Sequence, residues 1–139
     1  MNTGKAIWLR HPKHVLTTLH SYTYEGKDDL CVMFTLGESG EMSLFTKCEK
    51  DAKAKMVFLH TPNDYLIFSN GIIEGKLFEV EYRIHSSFDS RISLKKEGMK
   101  LSFISDGKVV LEISNPAFMG SASFGVISEG IGKTYIEIF

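Results

Sequence analysis

Residues 77–139 decide the fold, and they read LFEVEYRIHSSFDSRISLKKEGMKLSFISDGKVVLEISNPAFMGSASFGVISEGIGKTYIEIF. Apolar and polar residues alternate through most of this stretch, and short turns containing glycine separate the alternating runs. Such alternation is typical of half-buried strands, because successive side chains of a strand point to opposite faces of the sheet. The stretch therefore predicts a series of antiparallel strands with one buried face.

Two places within it carry the clearest signals. The run Leu77–His85 has apolar residues at even positions from Phe78 and polar residues at odd positions, which predicts one continuous strand. Asp106-Gly107 stands between two apolar runs and predicts a type I′ hairpin turn, since that turn needs positive φ at both central residues.

The N-terminal half also shows strand patterns. His14–Tyr24 is rich in β-branched and aromatic residues and is predicted to be a strand. Leu30–Leu36 is almost continuously apolar and is predicted to be a central strand covered on both faces. The charged run Glu49–Met56 is the best candidate for a short helical turn. In total, about ten to twelve short strands with little or no helix predict a single all-β domain over residues 1–139.

Residues 99–139 resemble the closing strands of concanavalin A-like lectins and glucanases and of laminin G-like domains. In those proteins two strands flank a DGK-type turn, a loop follows, and a strand containing Phe-Gly and a final strand complete the domain. The resemblance implies an antiparallel β-sandwich of jelly-roll type with a carbohydrate ligand on a concave face. It covers the C-terminal strands only, and the N-terminal half matches no named family.

Composition and charge narrow the classes of partner. The 139 residues include 16 basic and 17 acidic side chains, so the net charge of -1 gives no electrostatic support for nucleic-acid binding. The sequence has no apolar run of membrane-spanning length and no signal-peptide pattern. We therefore expect no membrane contact and a cytoplasmic protein, or a secreted one if this is a domain of a larger chain. Cys31 is expected to be a buried thiol, and a Cys31–Cys48 disulfide stays open.

The paired carboxylates Glu79 and Glu81 are the weak candidates for catalysis. Two acids at i and i+2 share one face of a strand, and retaining glycosidases use two carboxyl groups about 5 Å apart. Glucanases of the resembled fold carry an additional Asp between their two glutamates on such a strand, which this sequence lacks. The alternative is that both acids belong to the water-facing side of an amphipathic strand, and the prediction leans away from an enzyme.

Aromatic and polar residues of the N-terminal half are the candidates for ligand binding. An aromatic ring surrounded by a few polar groups is the general anatomy of a small-ligand groove. The alternative is that these aromatic residues fill the core and the edges of the sandwich. The predicted ligand-binding residues are Trp8, His20, Tyr22, Asn63 and Tyr65.

Metal and phosphate motifs are incomplete. His11 and His14 lack a cluster of further ligands, and the oxygen-rich turns Asp28-Asp29 and Asn63-Asp64 lack the alternating acidic pattern of calcium loops. Gly130–Thr134 mimics part of a phosphate loop but precedes a strand pattern where a helix is required. No metal site or cofactor is predicted, although Ca²⁺ occurs in some proteins of the resembled fold.

Three functions remain open at this point. The leading hypothesis is a noncatalytic binding module for a carbohydrate. The alternatives are a small glycoside hydrolase that uses the paired glutamates, and a structural or protein-interaction domain. A homo-oligomer formed through a sheet edge or a sheet face would suit the last of these.

Overall fold

The computed structural model describes residues 13–15, 21–26, 30–88 and 90–138. Within these ranges the chain forms thirteen strands and a single turn of 3₁₀ helix at Pro116–Phe118. Within the described ranges, no helix is long and apolar enough to cross a membrane. The strands are β1 (Lys13–Val15), β2 (Ser21–Gly26), β3 (Leu30–Leu36), β4 (Ser39–Lys50), β5 (Lys53–Thr61), β6 (Asp64–Ser69), β7 (Ile72–Leu77), β8 (Val80–His85), β9 (Arg91–Glu97), β10 (Lys100–Ser105), β11 (Lys108–Ser114), β12 (Ala122–Glu129) and β13 (Gly132–Ile138).

The strands form two sheets. Seven strands form one sheet in the order β1-β3-β12-β5-β6-β7-β8, and six form the other in the order β11-β10-β9-β4-β13-β2. β1 pairs with β3 in parallel, and the other described strand pairs are antiparallel. From β2 to β5 each successive strand joins the opposite sheet, and β12 and β13 do the same. This connectivity is a jelly-roll sandwich, so the predicted all-β fold is confirmed.

The closing strands have the form that the resemblance implied. β10 and β11 form a hairpin around Asp106-Gly107, whose φ angles are 52° and 75° as a type I′ turn requires. β12 contains the Phe124-Gly125 pair, and β13 begins at Gly132, so the residues that mimic a phosphate loop enter a strand. The resemblance to concanavalin A-like jelly rolls is therefore confirmed at the level of fold.

The main core lies between the sheets and is centred on phenylalanine. Phe103 of β10 is fully buried, and its ring lies 4.9 Å from Phe68, 5.6 Å from Phe58 and 5.8 Å from Phe124, measured between centroids. Phe58, Phe68 and Phe124 belong to three strands of the seven-stranded sheet, so a single side chain of the six-stranded sheet joins all three. A full burial of such a side chain contributes about 1.5–3 kcal/mol.

A second buried cluster lies on the outer face of the seven-stranded sheet. Its residues alternate along each strand with residues of the main core. On β3, for example, Val32 and Phe34 face inward while Cys31 and Met33 face outward. The prediction that Leu30–Leu36 is covered on both faces is therefore confirmed. The outer cluster consists of Cys31, Met33, Val57, Leu59, Ile67 and Ile127.

The predicted strand Leu77–His85 is wrong, because the chain reverses inside it. β7 ends at Leu77, and Phe78 and Glu79 form a turn with φ angles of 50° and 71° before β8 begins at Val80. Positive φ at a bulky residue costs of order 1–3 kcal/mol, and turns of this kind therefore usually contain Gly or Asn. Because Phe78 and Glu79 are neither, the sequence carries no sign of this turn. The Asn70-Gly71 turn, with φ angles of 51° and 76°, opens β7, a strand that the pattern did not reveal.

Two further predicted elements are wrong. The predicted strand His14–Tyr24 contains strands of different sheets, because β1 pairs with β3 whereas β2 pairs with β13. The predicted helical turn Glu49–Met56 is instead the passage from one sheet to the other, with only two residues between β4 and β5. Pairing with β13 and β12 provides backbone hydrogen bonds that outweigh a weak local preference for helix.

Replacement of Gly75 by alanine should destabilise the sheet. A Cβ atom at this position of β7 would lie 2.1 Å from the carbonyl oxygen of Tyr65, so the backbone of β6 or β7 must shift. We expect Gly75→Ala to lower the free energy of unfolding by more than about 2 kcal/mol in urea denaturation. The control is Gly37→Ala, where a Cβ would meet no atom within 4 Å and the loss should stay within about 0.5 kcal/mol. Equal effects at both positions would contradict this close approach.

The two cysteines should differ in reactivity. Both are free and lie in different sheets, Cys31 on β3 and Cys48 on β4, so the structure contains no bridge between them. Burial raises the pKa of the Cys31 thiol to about 12, so about one molecule in ten thousand carries its thiolate at about pH 8. We expect iodoacetamide to modify the partly exposed Cys48 of the native protein and to reach Cys31 only after unfolding, as peptide mass mapping would show. Equally fast labelling of both thiols would be the contrary result.

Candidate functional site

The structure separates the predicted ligand-binding residues. Trp8 and His20 lie outside the described residues. Tyr22 on β2 is partly buried against the main core, so its ring faces the space between the sheets. Asn63 is exposed in the turn between β5 and β6. Tyr65 on β6 packs against the outer cluster of the seven-stranded sheet, whereas Tyr22 belongs to the six-stranded sheet. Tyr22 and Tyr65 therefore do not share a surface.

Tyr65 instead lies in a groove on the outer face of the seven-stranded sheet. The groove follows β6, β7 and β8, has a volume of about 360 Å³, and contains both an aromatic ring and charged groups. Strand register arranges its side chains in two rows, one of Tyr65, Lys76 and Glu81 and the other of Ile67, Glu74 and Arg83. Gly75 lies between the two rows on β7, and its backbone also lines the groove.

The charges of the groove are balanced. Glu74 and Arg83 form an ion pair of 2.7 Å between Oε2 and Nη1, and both side chains remain substantially exposed. Lys76 lies opposite Glu81 in register, and its Nζ is 4.0 Å from Oε2 of Glu79. Among the lining residues, the carboxylates of Glu74 and Glu81 thus balance the cations of Lys76 and Arg83, so the lining presents both acceptors and donors beside Tyr65.

The outer cluster fixes the position of Tyr65. Its ring packs against buried apolar side chains of this cluster while the residue remains partly exposed. A ring held in this way loses little conformational freedom when a ligand stacks on it. The sequence pattern does not identify Glu74, Lys76 and Arg83 as groove residues, because Gly75 interrupts the alternation of β7 and the alternation continues through the Phe78-Glu79 turn.

Asp64 supports the end of the groove. Its Oδ1 accepts a hydrogen bond of 2.8 Å from the Phe78 N–H, and its Oδ2 accepts one of 2.8 Å from the Thr61 hydroxyl. The Phe78 ring also packs against His60 and Phe118, with centroids 5.4 and 5.5 Å away. These contacts hold the strained turn between β7 and β8, and hence the position of Glu81.

The pKa of the Asp64 carboxyl is lowered. Desolvation raises this pKa, but the hydrogen bonds from Phe78 and Thr61 and the positive charges of His60 and Lys76 together outweigh it. A carboxyl with a depressed folded-state pKa stabilises the fold above its unfolded pKa of about 3.9, and that stability is lost as pH falls through the folded pKa.

Replacement of Asp64 should therefore have a pH-dependent effect. We expect Asp64→Asn to lower the urea midpoint at neutral pH, and this difference from the wild type should shrink as the pH is lowered below about 4. Asp106→Asn, an exposed position in another turn with positive φ, is the matched control and should leave the midpoint nearly unchanged. A difference that stays constant down to acidic pH would contradict the role of the Asp64 carboxylate.

The catalytic candidates do not form the predicted pair. Glu79 lies in the turn with 92% of its side chain exposed, whereas Glu81 lies on β8 in the groove. The two carboxylates are thus not at i and i+2 of one strand. No group of three or more His, Cys, Asp or Glu residues within the described ranges is placed to hold a metal ion. The Asn63-Asp64 segment forms a turn whose carboxylate binds backbone and hydroxyl groups.

The fold and groove define a jelly-roll sandwich with a polar and aromatic depression on one sheet. The chain is similar in structure to the carbohydrate binding module CBM66 from Bacillus subtilis, with a TM-score of 0.49 and 7% identity over 83% of this chain and 82% of the module. It is similar to galectin LEC-6 of Caenorhabditis elegans, with a TM-score of 0.49 and 15% identity over 86% of this chain and 96% of the galectin.

A third similar structure is the catalytic domain of an endo-1,3-beta-glucanase (laminarinase) from Thermotoga petrophila. Its TM-score is 0.43, with 12% identity over 85% of this chain and 66% of that domain. No protein-family model matches the chain, and no curated protein sequence matches it.

Proposed function

We propose that this chain is a noncatalytic carbohydrate-binding domain and that its ligand is an uncharged oligosaccharide bound in the groove of β6, β7 and β8. The observation that carries the proposal is the row of Tyr65, Lys76 and Glu81 beside the row of Ile67, Glu74 and Arg83. A sugar ring offers an apolar C–H face and hydroxyl groups that both donate and accept. A fixed tyrosine ring between ammonium, guanidinium and carboxylate groups complements both properties.

The balance of charge favours an uncharged ligand. Two acids and two bases line the groove, so a uronic or sulfated chain would gain attraction from Lys76 and Arg83 and meet repulsion from Glu74 and Glu81. Against a hydroxyl group, by contrast, each of these four side chains can form a charge-assisted hydrogen bond. An uncharged oligosaccharide therefore uses all of them.

Only Glu81 of the two catalytic candidates lines the groove, because Glu79 lies in the turn with most of its side chain exposed, and this placement favours binding over hydrolysis. A retaining mechanism needs two carboxyl groups about 5 Å apart across the scissile bond, and an inverting one needs about 6.5–9.5 Å. Of the two acids in the groove, Glu74 is held by Arg83 at 2.7 Å. The neighbouring Glu81 lies opposite Lys76 in register. Each of the two groove acids therefore has a cation as its direct neighbour.

A glycan array with neutral, uronic and sulfated oligosaccharides tests the ligand class. We expect the strongest signals from neutral glycans, with no release of reducing ends during incubation. The neutral oligosaccharide with the strongest signal then serves as the probe for titration. Absence of every glycan signal from folded protein would refute the proposal, and hydrolysis of the probe would refute its noncatalytic part.

Removal of the Tyr65 ring should weaken binding in the groove. Titration with the array-selected oligosaccharide, followed through the amide signal of Gly75 in nitrogen–proton NMR spectra, measures the affinity of this groove alone. We expect Tyr65→Ala to raise the Kd at least about tenfold, equivalent to about 1.4 kcal/mol. Val109→Ala, at an exposed position of β11 in the other sheet, is the control and should leave the Kd unchanged. An unchanged Kd in Tyr65→Ala would refute a role for this ring.

A further inference from the structure

The outer face of the six-stranded sheet carries a second depression, with a volume of about 780 Å³, on the side of the sandwich away from the groove. The burial pattern of β13 shows which side chains face the core and which face outward. Thr134, Ile136 and Ile138 are buried, while the residues between them are exposed or partly exposed. Tyr135 therefore points outward, as Tyr65 does on the other sheet. Its register neighbours are Thr23 on β2 and Lys47 on β4.

Charged side chains of both signs surround Tyr135. Lys133 and Glu137 flank it along β13, and Lys133 lies opposite Glu49 of β4. Lys47, Glu49, Lys133 and Glu137 form no ion pair with any other described residue, although Lys133 faces Glu49 directly across the strands. Two ammonium groups and two carboxylates of the depression thus form no ion pair within the described part of the chain, and the exposed Glu25 of β2 adds a carboxylate opposite Lys133.

A second aromatic residue stands beside this group. Phe45 of β4 lies opposite Glu137, and the guanidinium of Arg91 lies 5.2 Å from the centroid of its ring in a cation–π contact. Because Arg91 covers Phe45, the ring of Tyr135 is the platform that a ligand would meet. Neighbouring strands are about 4.8 Å apart, a spacing comparable with the width of one sugar ring.

We infer that this face is a second carbohydrate-binding surface, so that one copy of the domain binds an uncharged oligosaccharide on each side of the sandwich. The inference rests on the proposed function, because it extends the same ligand class to a second site. A polyanion is disfavoured by Glu49 and Glu137 beside the platform. A protein interface is disfavoured because Lys and Glu are depleted at the cores of such interfaces.

The consequence is bivalency without an oligomer. Two sites on opposite faces of a rigid sandwich point away from each other and cannot bind neighbouring units of one short oligosaccharide. A single copy would instead join two separate glycan chains, and its retention on a glycan-coated surface would gain avidity.

The test uses the wild type, Tyr65→Ala, Tyr135→Ala and the double variant on the glycan array and in NMR titrations with the array-selected oligosaccharide. The amide signals of Thr23 and Lys47 report the second face, and that of Gly75 reports the groove. We expect Tyr65→Ala to retain glycan binding with shifts of Thr23 and Lys47, Tyr135→Ala to retain the shift of Gly75, and the double variant to lose both. Lys133→Ala, at an exposed position, is a second variant that should weaken binding at the second face at least about threefold.

Several outcomes would overturn the inference. Complete loss of binding in Tyr65→Ala would leave the groove as the sole site and the proposed function intact. Binding that is lost in Tyr135→Ala and unaffected by Tyr65→Ala would refute both the groove and the two-site arrangement, and absence of binding in the wild type would refute both proposals. A change in sedimentation of the free protein in Tyr135→Ala would instead assign the face to contact with a second copy.

Discussion

The packing of Phe103 against three phenylalanines of the opposite sheet is the contact on which the rest of the structure depends. Each of these aromatic pairs adds about 0.5–1.5 kcal/mol to the burial of the rings. The contact also sets orientation, because the side-chain period of a strand is two. Once Phe68 faces inward from β6, Ile67 must face outward, and Tyr65 follows it on the same face. The groove is thus the reverse side of the core.

The groove also depends on the turn between β7 and β8. Glu81 enters the groove only because the chain reverses at Phe78-Glu79, a reversal that the backbone adopts at a cost. The Asp64 carboxylate and the His60 and Phe118 rings stabilise that reversal from two neighbouring segments. The geometry of a polar site on the outer surface therefore depends on an aromatic cluster and one charged hydrogen bond at the end of the sandwich.

Alternation and turn chemistry were sufficient to predict the all-β sandwich, the double-sided cover of β3 and the Asp106-Gly107 hairpin. They failed at Leu77–His85, because continuous alternation cannot reveal a reversal whose first turn residue, Phe78, is held by Asp64 fourteen positions away. They also failed at Glu49–Met56, where pairing with β12 and β13 decides the conformation. Tyr65 was predicted as a ligand residue from its type, but its neighbours Glu74, Lys76 and Arg83 become visible only when the register of β6, β7 and β8 is known.

The positions of β12 and β13 have a consequence for how the protein is made. β12 lies between β3 and β5, and β13 lies between β4 and β2, so the last two strands occupy the interior of both sheets. A nascent chain on the ribosome can form the β5–β8 meander and the β9–β11 hairpins by local pairing, yet it cannot close either sheet. Until β12 emerges, the apolar edges of β3 and β5 stay unpaired, and such edges recruit other chains. Synthesis of β12 and β13 is therefore the step at which folding of the two sheets competes with aggregation.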